Sequence, residues 1–333
     1  MKHLIRACAI AGLALLSQPA AAAVFFAAHP DDVVLFMGQN AFRDIRGGHP
    51  TVIVILTAGD AGNAALPNAL GTEGNFDHNQ QGKPYYRVRH DAHNAALAYW
   101  VSAGAPPAAV KTAERFSAQI PAVEKTLIGN VIVYNLNLPD GKLSQLLPGG
   151  VATALADITG RNRYTGATLK ETVRQIVVRH HRGRRLVIVN LPEHDPGFAE
   201  MGYNERLMPD EHGNLLKKTR IDLLHPDHPD HTAVGRFVIT ALGEQPAMRC
   251  VYRAVYLGYA VQNLPAVMTP FELFSQEIAV FHRMNGVLIH QGNVIRQLGA
   301  NQPLAGQDDP FHRSFLGKQQ WRDAGGGSVC AFP

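Results

Sequence analysis

The apolar residues of this chain fall into short, nearly unbroken runs. VFFAA (24–28), TVIVILTAG (51–59), VIVYNLNL (131–138), RLVIVNL (185–191) and AVYLGYAV (254–261) are of this kind. Runs without polar alternation predict strands covered on both faces, as in a largely parallel sheet. Between them the apolar positions recur at helical spacing. TLKETVRQIVVRH (168–180) places Val173, Ile176 and Val177 on one side and opens with Thr168 and Glu171 at capping-box spacing. TPFELFSQEIAVFHRM (269–284) has Thr269 as cap, Pro270 at the first helical position and Glu272 three residues after the cap. VVLFMGQNAFRDIR (33–46) reads as a further helix. Strands alternating with helices predict an α/β fold with an open, mostly parallel sheet. Residues 60–85 and 193–222 are polar and read as long loops over that scaffold, as lids or insertions. No linker divides residues 24–333 into two domains.

The first residues change the picture at one end only. Lys2 and Arg6 precede an apolar stretch, Ala7 to Leu16, and a small-residue end, Ala20 to Ala23. This predicts a cleaved secretory signal peptide over residues 1–23 and a secreted or periplasmic protein. The stretch is shorter than the about 20 residues that span a bilayer. Two cysteines follow it, Cys250 and Cys330. In an oxidising compartment they either pair and pin the C-terminal tail or remain two buried thiols. A net charge of +4 is mild and does not imply nucleic-acid binding. The basic run RHHRGRR (179–185) suits a solvated helix C-terminus, with contact to an anionic polymer or membrane face as the alternative.

Chemistry-bearing residues concentrate in two places. AHPDD (28–32) lies between the first strand and a helix, where ligands gather in open α/β sheets. His29 and Asp32 can converge across a tight turn, and imidazole and carboxylate are ordinary zinc ligands. Asp31 is then left to act as a base. The alternative is that the two aspartates cap the helix and His29 is structural. The second place is HPDHPDH (225–231), where His225, His228 and His231 follow at intervals of three. Its alternative is a histidine-rich surface loop. Pro229 suits the first turn of a helix over TAVGRFVITAL, which favours the downstream HPDH copy.

AHPDD after the first strand, with HPDH followed by x-A-V-G about 200 residues later, resembles the PIG-L (LmbE-like) family of metal-dependent N-deacetylases. LTAGDAG (56–62), YYRVRHD (85–91) and LPDG (138–141) support the match, which runs from Val24 to about Leu242. The segment from about 243 on is a C-terminal extension. One position departs from the family: an acidic residue usually follows AHPDD, and here it is Val33.

The resemblance implies a Rossmann-like fold with helices on both faces of the sheet. It implies a zinc ion, or another divalent metal, held by His29, Asp32 and His231, with an open position for water. Asp31 becomes the general base and His228, in its protonated form, the donor to the oxyanion, so a bell-shaped pH–rate profile is expected. His225 falls outside the ligand set. Asp60, Arg89 and Asp140 become substrate-binding residues. His78, His90, His93 and His194 are placed on the surface or around the site. The implied substrate is an N-acetylglucosamine-type sugar or oligosaccharide. Hydrolysis of another amide or ester, and a non-catalytic carbohydrate-binding role, are the alternatives.

Overall fold

The computed structural model describes residues 23–60, 84–181, 187–197, 207–209, 215–217, 227–292 and 310–325. The strands β1 (Ala23–Ala27), β2 (Thr51–Thr57), β3 (Val110–Glu114), β4 (Val123–Ile128), β5 (Val131–Leu138), β6 (Ile188–Pro192), β7 (Tyr252–Tyr256) and β8 (Trp321–Asp323) form one sheet. Their spatial order is β8-β7-β6-β1-β2-β5-β4-β3. The central strands β7, β6, β1, β2 and β5 run parallel, whereas β3, β4 and β8 pair antiparallel. The mostly parallel sheet follows from the apolar runs. The edge pair β3–β4 does not: β3 is VKTAE, exposed along nearly its whole length, and leaves no hydrophobic signature.

Each buried strand feeds two cores. Phe25, Ile53 and Val133 point to one face, and their neighbours Val24, Phe26, Val52, Val54 and Tyr134 to the other. This is the two-residue period of a strand expressed on both sides. The first face is covered by α1 (Asp32–Phe36), α2 (Gly38–Arg46) and α3 (Tyr85–Val101) through Leu35, Phe42 and Leu97. The second is covered by α4 (Gly166–His181) and α5 (Pro229–Gly243) through Val173, Ile176, Val234 and Phe237. Among the described residues no helix is long and apolar enough to cross a membrane.

Several local expectations are refined. The helix expected over 33–46 is broken at Met37, whose φ is −117°. Gln276 Nε2 donates to the Val34 carbonyl at the break, 2.6 Å away. Helix α4 starts earlier than Thr168: Thr165 and Thr168 exchange side-chain bonds with each other's backbone N–H at 3.1 and 2.9 Å. Glu171 instead pairs with Arg174 and Gln175. The Thr269–Glu272 capping box is present and opens α6 (Pro270–Glu277), after which a π-helical turn, Ile278–Met284, continues the rod. Val33 is fully buried in the core. Cys250 is disulfide-bonded, and Cys330 lies outside the described residues.

The segment after 243 belongs to the same sheet through β7 and β8. A buried ion pair ties its last strand down. Glu193, fully buried after β6, accepts from Arg322 Nε and Nη2 at 2.8 and 2.7 Å. Burial raises the Glu193 pKa, but bonds from His194 and Arg322 outweigh it and bring it to about 2. A depressed folded-state pKa stabilises above the ordinary glutamate value and loses that contribution as pH falls towards about 2. Arg322→Met should therefore cost roughly 3 kcal/mol at pH 7, the low end for breaking a buried pair because Arg322 is partly exposed. Urea titrations at pH 7 and pH 3 check this, and the gap between wild type and variant must shrink at pH 3.

Candidate metal centre

The carboxyl ends of the five parallel strands converge on one place. β1 leads to His29, Asp31 and Asp32, β2 to Gly59 and Asp60, and β5 to Asp140. β6 leads to Glu193 and β7 to Gly258. The strand order reverses at β1, between β6 and β2, so the crevice lies at the topological switch point of the sheet. The β5 end is re-aimed by a bulge: the register against β2 shifts between Ile55 and Thr57, and Asn137 sits at φ 58°.

Asp31 occupies the cap position of α1 but makes no capping bond. Asp32 spends one carboxylate oxygen, Oδ2, on the backbone N–H groups of Ala28 and His29 at 2.9 and 2.8 Å. Its Oδ1 is left facing His29 Nδ1 at 3.4 Å and His231 Nε2 at 3.3 Å. The two imidazole nitrogens are 3.3 Å from each other. All three residues are buried, and their three donor atoms form a compact triangle. Donors about 2.0–2.1 Å from a tetrahedral zinc stand about 3.3–3.4 Å apart, so the triangle has the size that such an ion requires.

The remaining ring nitrogens are held by carboxylates. His29 Nε2 bonds Asp140 Oδ1 at 3.2 Å, and His231 Nδ1 bonds Asp227 Oδ1 at 2.7 Å. Each imidazole thus turns its other nitrogen to the triangle, the usual arrangement behind a metal-bound histidine. A second group, His29, Asp140, His228 and Asp230, also lies within ligating range. Of its donors, the Asp230 carboxylate and one nitrogen of His228 are already engaged. Asp230 accepts from the N–H groups of Gly141 and Leu143, and His228 Nδ1 accepts from Asp230 N at 3.2 Å.

Electrostatics agree with a cation site. Burial lowers the His29 pKa, yet the charge of Asp32 and bonds from Asp140 and Asp32 bring it up to about 10. His231 is raised in the same way, against burial, by Asp32 and Asp227. Burial raises Asp140, and His29 brings it down to about 2. Asp31 is raised by burial but held well below the ordinary carboxylate range by Arg89.

The three residues expected to bind substrate all lie around the site. Asp60 is buried, 2% exposed, and accepts from the backbone N–H of Asp140 at 2.9 Å, so it shapes the β5 end instead of facing outward. Arg89 bonds Asp31 Oδ1 at 2.5 Å and the Gly59 carbonyl at 2.8 Å, and so orients the Asp31 carboxylate. Gly59 has φ +61°, and a Cβ there would stand 2.5 Å from Arg89 Nη1, which accounts for glycine in LTAGDAG. Asp140 faces both His29 and His228, whose Nε2 is 3.6 Å away.

The other histidines are placed as follows. His90 and His93 are buried; both ring nitrogens of each lack a hydrogen-bond partner among the described residues. His194 packs against Glu193 at 3.1 Å, and His78 and His225 lie outside the described residues. Sequence reasoning passed over Asp227, although the upstream HPDH copy marks it. It also passed over His312, whose Nε2 stands 3.9 Å from Asp31 Oδ2 and for which nothing in the sequence gave a signal.

Fold and site together define an α/β protein with a buried cluster of two histidines and one aspartate, able to hold a metal ion, at the switch point of its sheet. The chain belongs to the PIG-L family: the family model, described as GlcNAc-PI de-N-acetylase, matches residues 24–197. Among solved structures, the zinc-inhibited form of the teicoplanin deacetylase Orf2 is similar at 15% identity, over 84% of this chain and 90% of that one, with TM-score 0.41. N,N'-diacetylchitobiose deacetylase from Pyrococcus horikoshii follows at 14%, over 80% and 73%, with TM-score 0.39. GalB, the 4-carboxy-2-hydroxymuconate hydratase of Pseudomonas putida KT2440, follows at 10%, over 91% and 96%, with TM-score 0.42. No curated protein matches the chain.

Proposed function

We propose that the protein is a metal-dependent N-deacetylase acting on an N-acetylglucosamine-type sugar or glycoconjugate, exported and processed to begin near Val24. The observation that carries this is the donor triangle of His29, Asp32 and His231 with the uncoordinated carboxylate of Asp31 beside it. Membership of the PIG-L family supports amide hydrolysis and the sugar class. Zinc suits the donor set, since neutral imidazoles and a carboxylate are its common ligands at catalytic sites.

When bound, a divalent cation supplies Lewis acidity to the acetamide carbonyl and eases proton loss from water. Asp31 takes that proton, and Arg89 keeps the carboxylate ionised and oriented for it. His228 donates Nε2–H to the developing oxyanion, because its Nδ1 is occupied as acceptor from Asp230 N. The proton held on Asp31 passes to the departing amine. The test is acetate release from a panel of N-acetylated glucosamine-type sugars by the zinc-loaded protein. No release from any of them, with Asp31→Asn indistinguishable from wild type, would end the proposal. An unprocessed N-terminus on protein recovered from a secreting host would remove the export part.

The charge of His228 has a second reading. Burial and the neighbouring His29 and His231 bring His228 down to about 4, which favours the neutral ring. The neutral ring still carries Nε2–H, so a protonated His228 is not required. The rate should not fall as pH rises from 6 to 8.5, and the bell expected from the sequence should lose its His228 limb. His228→Gln, a neutral donor, should keep part of the activity that His228→Ala loses. A basic limb in kcat/KM that vanishes in His228→Gln would restore the protonated form.

A further inference from the structure

The upstream half of HPDHPDH supplies no described ligand, yet its aspartate is built into the site. Asp227 lies just before α5, and its side chain is 2% exposed. Its Oδ1 accepts from His231 Nδ1 at 2.7 Å, from the backbone N–H of His228 at 3.0 Å and from that of Tyr259 at 3.2 Å. Two of these donors lie on the α5 lead-in and its first turn; the third comes from the segment after β7, in the C-terminal extension from about 243. Gly258 makes the approach possible. A Cβ there would stand 2.3 Å from Asp227 Oδ1 and 2.7 Å from His231 Nδ1. The Tyr259 and Phe36 rings then box the His231 ring, with centroids 5.2 and 5.6 Å away.

We propose that Asp227, clamped by Gly258 and Tyr259, is a positioning residue that fixes His231 as the Nδ1–H tautomer with Nε2 on the metal, so that the C-terminal extension is part of the metal centre. The inference rests on the metal-dependent reading above. Three consequences follow from the chemistry. An acceptor at Oδ1 sets which ring nitrogen is free to ligate. Its negative charge raises the donor strength of that nitrogen. Its removal leaves the ring able to rotate and to present the wrong nitrogen.

The test measures zinc affinity of the full chain by competition with a chromophoric chelator, alongside the melting temperature of the metal-free protein. The variants are Asp227→Asn, Asp227→Ala and Gly258→Ala. Asp227→Ala should weaken zinc binding about 10- to 100-fold, the range for outer groups behind a histidine ligand. Asp227→Asn keeps the acceptor and loses the charge, so it should fall between wild type and Asp227→Ala. Gly258→Ala should weaken binding with the carboxylate still present. The cobalt-substituted Asp227→Asn protein should also show an altered visible spectrum, which a change in fold stability alone would not produce. Zinc affinity of Asp227→Asn and Gly258→Ala both within twofold of wild type, with an unchanged cobalt spectrum, overturns the inference even if Asp227→Ala fails to fold. A wild-type chain that takes up no zinc overturns the metal-dependent reading instead, and this inference with it.

Discussion

Asp31→Asn should lower kcat by about 10²–10⁴-fold while leaving stoichiometric metal in place. The two halves of this expectation come from different atoms. Metal retention follows because Asp31 contributes no atom to the donor triangle, which Asp32 completes through Oδ1. Activity loss follows because an amide cannot accept the proton that the attacking water must give up. Arg89 keeps its bond to the Gly59 carbonyl in the variant, so the guanidinium stays near its place. An isosteric change therefore tests the base alone. Metal analysis and acetate release on the same preparation check both halves. Loss of metal together with activity would make Asp31 a ligand, and full activity would move the base elsewhere, with His312 at 3.9 Å the nearest described alternative.

How far the sequence spoke depends on the range of each interaction. AHPDD is local: a strand end, a turn and a helix start fix the relation of His29 to Asp32, which are only three residues apart. The strand runs are local too, because burial on both faces leaves an unbroken apolar stretch between Thr51 and Thr57 in TVIVILT. What could not be read depends on register between distant segments. The bond from His29 to Asp140 spans 111 positions, and the one from Asp140 N to Asp60 spans 80. Asp60 and Arg89 carry side chains suited to a sugar, and composition alone cannot distinguish facing a cleft from holding a backbone. The antiparallel edge strands were invisible for the opposite reason, since little burial leaves little pattern. The break at Met37 is set by Gln276, some 240 residues away, whose amide takes up the Val34 and Leu35 carbonyls.

Alanine replacement along HPDHPDH should separate its histidines by two measurements. His231→Ala should lose zinc affinity by more than about 100-fold, beyond the cost of removing an orienting group, because a direct donor is gone. His228→Ala should bind metal as wild type does, since its Nε2 faces Asp140 and its Nδ1 is held by Asp230 N. Its kcat should fall about 10²–10³-fold, the usual loss for one oxyanion donor. His225→Ala should keep both properties. The order follows from helix geometry. Pro229 starts α5, His228 caps it, and His231 sits on the first turn, four residues after the carboxylate of Asp227 that turns its ring. On this expectation the doubled motif divides by role: the downstream copy would supply ligand and donor, and the upstream copy the aspartate that aims the ligand. Metal lost in His225→Ala but kept in His231→Ala would reverse that division and assign the ligand to the upstream copy.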